Sequence, residues 1–183
     1  MAPVKTANGG PANRGKYCEK KVKEILEYFE KRNMTFTYNR CLDAHAAAGR
    51  FPAQAGDYQA FVKLTVAYSF ECAGLTKPVS GQDWFQASRN FILECKEVAH
   101  SHLLPPKNYS ADKVARVQKR VLAGTEAIVV VLHKKPTFVY RLVPFSVFTQ
   151  RPARGSWDLS AYPTYLDIHA LQKALGEFMG VTA

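Results

Sequence analysis

Residues 127–133 read Ala-Ile-Val-Val-Val-Leu-His, and no other stretch constrains the fold as tightly. β-branched side chains favour an extended chain, and a strand that shows no polar alternation must be covered on both faces. The run predicts an interior strand, and the rest of the chain has to supply its neighbours and its covering helices.

The covering helices are legible from periodicity. Val22, Ile25, Leu26 and Phe29 recur at helical spacing in a segment that begins near Lys16 and ends at Asn33, after Lys31 and Arg32. A second helix follows Ser110, a good N-cap, with Val114, Val117 and Val121 as its expected buried stripe and Gly124 as its stop. A third spans 167–178, with Ile168, Leu171, Leu175 and Phe178 inward. Further strands are predicted at 35–38, 58–68, 91–96 and 137–142. Pro78, Gly81 and the polar residues of 74–90 predict a loop with one helical turn around 84–88. Residues 1–13, rich in Ala, Pro, Gly and Asn, read as a flexible arm, and the Ala-rich segment 43–55 as irregular or protruding. This mixed order suits an α/β or α+β protein, one domain over 14–183, with a central sheet flanked by helices.

Charge and cysteine usage narrow the class. Twenty-five Lys and Arg against 15 Asp and Glu give a net charge of +10, the surplus that neutralising a phosphate backbone requires. Lys16, Lys20, Lys21 and Lys23 lie together, as do Lys113, Arg116, Lys119 and Arg120, so two basic helix faces are expected. Cys18, Cys41, Cys72 and Cys95 form no CxxC pair, which argues for reduced thiols rather than a zinc ribbon or disulfide framework. No run approaches the roughly 20 apolar residues of a membrane span, and the start lacks the apolar core of a secretory signal, so a soluble intracellular protein is expected.

The chemistry concentrates at Phe91-Ile92-Leu93-Glu94-Cys95-Lys96. Strand alternation puts Glu94 and Lys96 on one face, a carboxylate beside an ammonium. Asp57, ending Ala55-Gly56-Asp57 before another β-prone stretch, can bring a second carboxylate to the same sheet edge. Such a trio suits phosphodiester hydrolysis: Asp57 and Glu94, with the Cys95 backbone carbonyl, would bind Mg²⁺ or Mn²⁺, while Lys96 orients water or stabilises phosphate charge. The same triplet also serves as an ordinary surface ion pair, and an Asp after Gly as a turn residue. Glu19 lies at the edge of the first helix's apolar stripe and can face the same edge; as a first-turn acid it also suits the helix dipole.

Together these residues resemble the PD-(D/E)xK nucleases, and within them the RecU-type Holliday-junction resolvases. Asn13-Arg14-Gly15 with Glu19 is similar to the family's N-R-G-x-x-x-E opening, Asp57-Tyr58 to its Asp-Tyr or Asp-Phe motif, and Glu94-Cys95-Lys96-Glu97 to its E-A-K-E strand. Leu104-Pro105-Pro106-Lys107-Asn108-Tyr109 resembles its F-P-L-x-N-F lead into a helix, and Pro163 with Leu166-Asp167-Ile168 its last helix opening. The resemblance implies a restriction-endonuclease-like fold and a homodimer that binds four-way DNA and nicks it symmetrically. It also implies a stalk before the metal-binding Asp, where 43–55 stands.

The chain departs from that pattern twice. Thirty-seven residues (94 − 57) separate Asp57 from Glu94 where the family has a tight hairpin, so 63–89 looks like an insertion. Lys113 falls where the family carries a Gln, with Gln118 as a nearby substitute. Arg14, Lys16, Lys20, Lys23, Lys113, Arg116, Gln118, Lys119 and Arg120 are the candidate DNA contacts, chosen on charge and position. Trp84 and Phe85 could stack on an unpaired base or simply be core; His100 and His102, two apart, could share a face for a transition metal, but no Cys or carboxylate cluster joins them locally, and phosphate contact or plain exposure is the preferred reading. Glu71, in Phe70-Glu71-Cys72, is a rival to Glu94 but lacks the following Lys. A sequence-specific restriction-type nuclease and a non-catalytic DNA-binding protein remain as alternatives.

Overall fold

The computed structural model describes residues 16–41, 56–72, 79–99, 102–150, 152 and 155–181, with the backbone alone over 65–72 and 79–86. Helix α1 (Lys16–Arg32) leads into β1 (Phe36–Arg40), β2 (Tyr58–Cys72) and β3 (Val79–Val98). A two-residue β4 (Leu103–Leu104) and a 3-10 turn, Pro106–Asn108, precede α2 (Ala111–Leu122). The chain continues through β5 (Glu126–His133), β6 (Val139–Pro144), β7 (Trp157–Asp158), β8 (Thr164–Tyr165) and α3 (Ile168–Met179). Six strands form one sheet in the order β1-β2-β3-β5-β6-β8, and β4 pairs separately with β7. Among the described strands only β3 and β5 run parallel, so α2 is the crossover that a parallel pair needs. The protein is thus mixed α/β, with a mixed sheet flanked by helices.

The apolar run of β5 lies inside the sheet, between β3 and β6. Ile128, Val130 and Leu132 join a core with Val22, Ile25, Leu26 and Phe29 of α1 and Leu171, Leu175 and Met179 of α3. Val129 and Val131 join a second core with Val117, Leu104, Tyr109, Phe148 and Trp157. Both faces of β5 are covered, which is why its sequence shows no alternation. The α2 stripe is narrower than periodicity predicts: Val117 is buried, Val114 half-buried, and Val121 40% exposed. Its caps are as expected, with Ser110 Oγ accepting from Lys113 N–H at 3.2 Å and Gly124 at φ +89°. Asp167 caps α3, accepting from Ala170 N–H at 2.8 Å.

Residues 79–90 are strand, not the expected loop and helical turn. β2 and β3 pair in unbroken antiparallel register from Tyr58↔Leu93 to Cys72↔Val79. Cross-strand bonding overrides the weak local propensity of this segment. β1 pairs with β2 only as far as Val62, and β5 with β3 only from Phe91. Beyond those pairs, among the described residues, β2 and β3 continue as a two-stranded ribbon; this is what the segment taken as an insertion builds. The arm 1–13, the segment 43–55 and Arg14 lie outside the described residues, as does His100. So do the side chains of Trp84 and Phe85.

Candidate active site

The site forms where β2 begins beside β3. Gly56 sits at φ +79°, and a Cβ there would overlap the Ile92 side chain and come within 3.1 Å of the Leu93 carbonyl oxygen. Only glycine fits that conformation and that approach. The chain therefore passes close against β3, and Asp57 N–H donates to Leu93 O at 2.9 Å. Asp57 Oδ2 accepts in turn from Cys95 N–H at 2.6 Å. Burial, reinforced by the neighbouring Glu94 charge, raises the Asp57 carboxyl from 3.8 to about 6 despite Lys113, the Cys95 N–H and Lys96.

Alternation along β3 turns Glu94 and Lys96 to the face that carries α2. Glu94 is 1% exposed. Its Oε1 takes the ammonium groups of both Lys96 and Lys113, and its Oε2 has no hydrogen-bond partner among the described residues. Lys96 stands 5.0 Å from the centroid of the Tyr109 ring. Burial disfavours its ammonium, but the Glu94 charge and hydrogen bond outweigh that and raise its pKa.

On the other face, Glu19 comes from the first turn of α1 and lines a cavity of about 660 Å³ with Asp57, Cys95, Lys96, Glu97 and Lys134. Its carbonyl accepts from Tyr58 Oη at 3.0 Å, and its Oε2 from Arg40 Nη2 at 3.2 Å. Glu97 Oε1 accepts from Cys18 N–H at 2.6 Å while its Oε2 is ion-paired with Lys134. Glu97 thus fastens the start of α1 to β3, one residue before Glu19. Sequence reasoning missed this contact because alternation sends Glu97 to the face opposite Glu94; its place in Glu94-Cys95-Lys96-Glu97 was the available signal.

The sequence-predicted residues divide accordingly. Glu94, Lys96 and Lys113 meet directly, Asp57 lies close enough to feel the charges of all three, and Glu19 shares a cavity with Asp57 and Lys96. Lys113 makes a direct contact that charge alone did not foresee, although counting from Asn108 singled out its position. Lys16, Lys20, Lys119 and Arg120 are exposed, and Lys23 pairs with Glu27 at 3.1 Å. Arg116 is half-buried. Gln118 lines a second cavity of about 590 Å³ with Tyr109, Phe148 and Trp157, whose lining includes neither Asp57 nor Glu94. Glu71 stands opposite Ser80 near the far end of the ribbon, so it is no rival to Glu94.

Among the described residues no group of three or more His, Cys, Asp and Glu side chains is placed to hold a metal ion. Two carboxylates nonetheless suit a hard divalent ion that keeps much of its water shell. The partnerless Glu94 Oε2 and the repulsion felt by Asp57 are the conditions such an ion relieves. Among known proteins, no family model, curated protein or solved structure matches the chain.

Proposed function

We propose that this chain is a Mg²⁺- or Mn²⁺-dependent endodeoxyribonuclease of the PD-(D/E)xK type, on a restriction-endonuclease-like sheet. Its expected substrate is branched DNA, cut as a homodimer that nicks four-way junctions symmetrically. The observation that carries the reading is the fastening of the Asp57 carboxylate to the Cys95 N–H, between the paired Glu94 and Lys96. Asp57 and Lys96 line one cavity with the buried Glu94 behind them, a grouping of two carboxylates and a lysine that suits metal-assisted phosphodiester hydrolysis.

In this reading Asp57, Glu94 and the Cys95 carbonyl hold the metal, which when bound polarises the phosphate and acidifies a water. Lys96, held by Glu94 against the Tyr109 ring, presents its ammonium to the water or phosphate. Glu19, tethered through Tyr58, adds a carboxylate on the other side of the cavity. The net charge of +10 and the exposed Lys16, Lys20, Lys119 and Arg120 supply phosphate contacts, with Arg14, Lys23, Arg116 and Gln118 as further candidates. The test is cleavage of a labelled four-way junction beside a linear duplex of the same arms, with Mg²⁺, with EDTA and with Asp57→Asn. Paired nicks confined to the junction, lost with EDTA and with the substitution, are the expected result. Equal cutting of the duplex would discard the resolvase and keep the nuclease.

A second reading, a non-catalytic DNA-binding protein, is favoured by one observation: two ammonium groups already neutralise Glu94 Oε1. Tight junction binding with no cleavage under any metal would select it.

A further inference from the structure

Asp57 and Glu94 bring two negative charges to the site, and Lys96 and Lys113 bring two positive ones. The cluster is balanced without any metal. A divalent cation entering it adds a buried double positive charge, withdrawal of one ammonium halves that surplus, and an uncompensated buried charge is costly. The two lysines are not equally free to leave. Lys96 projects from the same strand as Glu94, lies against the Tyr109 ring and is 17% exposed. Lys113 reaches in from the first turn of α2, is 23% exposed, and hangs on a flexible stem that can carry its charge to solvent.

We propose that Lys113 is an exchangeable counter-cation of Glu94: it neutralises the carboxylate while no metal is bound and is released to the DNA phosphate when a divalent ion takes its place. The inference deepens the nuclease reading and depends on it. Exchange makes metal and DNA binding mutually reinforcing, because each metal bound frees one ammonium for the nucleic acid.

The experiment is calorimetric titration of Mn²⁺ into the full chain, stripped of metal, as wild type, Lys113→Gln and Lys113→Arg. Losing the competing ammonium should tighten Mn²⁺ binding by about tenfold or more in Lys113→Gln, while Lys113→Arg, which keeps the charge, stays near wild type. With Ca²⁺ as a probe ion, wild-type binding to an uncleaved four-way junction should tighten, and that gain should shrink in Lys113→Gln. Unchanged Mn²⁺ affinity in Lys113→Gln, or equal tightening in Lys113→Arg, overturns the exchange and leaves the nuclease reading standing. Failure of all three proteins to bind Mn²⁺ removes both.

Discussion

The Cys95 backbone N–H donates to Asp57 Oδ2 at 2.6 Å, so the residue between Glu94 and Lys96 also holds the second carboxylate of the site. The charges of Asp57 and Glu94 are therefore coupled through a stretch of β3 no longer than one strand repeat. The consequences can be measured whether or not the chain cuts DNA.

In metal-free buffer, stability should fall as pH rises from about 4 to 6. The Asp57 carboxyl titrates at about 6 in the folded protein against 3.8 ordinarily, because of burial and the Glu94 charge. The folded state thus binds its proton more tightly than the unfolded chain. The resulting penalty is absent below about pH 4 and complete above about 6. Asp57→Asn removes it, so the variant should gain on wild type across that window by on the order of 3 kcal/mol. Urea unfolding of both proteins at several pH values checks this, and parallel curves would show that the repulsion is not felt.

Glu94→Ala leaves the Lys96 and Lys113 ammonium groups facing each other without their shared carboxylate. Breaking a buried pair in this way should cost about 3–5 kcal/mol. Adding Lys113→Met should recover part of that loss. A double variant no more stable than the single would place the cost in packing rather than charge.

Gly56→Ala should destabilise the fold by about 2 kcal/mol or more, from the positive φ together with overlap on Ile92 and the Leu93 carbonyl. The chain can relieve that overlap only by moving Asp57 away from β3. Amide exchange at Cys95, whose N–H Asp57 holds, should accelerate beyond what the global loss explains.

Tyr58 is 1% exposed and ties β2 to α1 by donating to the Glu19 carbonyl. Tyr58→Phe keeps the ring and removes the donor, at a cost of about 1 kcal/mol. If Glu19 serves cleavage, the same variant should lower kcat with little change in KM, and a variant with wild-type turnover would separate Glu19 from the chemistry.

Most of the architecture could be read from local pattern. The period of Val22, Ile25, Leu26 and Phe29, the cap Ser110, and the unbroken apolar run of β5 each encode their element within a few residues. Residues 79–90 could not be read that way, because their strand depends on a partner segment and their Pro, Gly and polar neighbours favour a turn when read alone. The site divides along the same line. Glu94 and Lys96 share a face by alternation, which is local, and Asp57 was placed by its Gly and the following strand. The contacts of Lys113 with Glu94 and of Glu97 with Cys18 join elements through the crossover and through the first helix. No spacing rule expresses such contacts.

The unbroken register of β2 against β3 also bears on how the site comes together. Its pairs grow from a sequence separation of 7 (79 − 72) at Cys72 and Val79 to 35 (93 − 58) at Tyr58 and Leu93. Each new pair lengthens the enclosed loop by only two residues, and closure entropy rises slowly with length. Hairpins of this kind zip in about 1–10 μs. Pairing that starts at Cys72 and Val79 therefore draws Asp57 down to Cys95 as its final step, so two groups 38 positions apart (95 − 57) meet with the entropy of a local event. A single-residue slip anywhere along the zipper would present a neighbouring β3 residue to Asp57, and the ribbon acts as the ruler that counts out which one it meets.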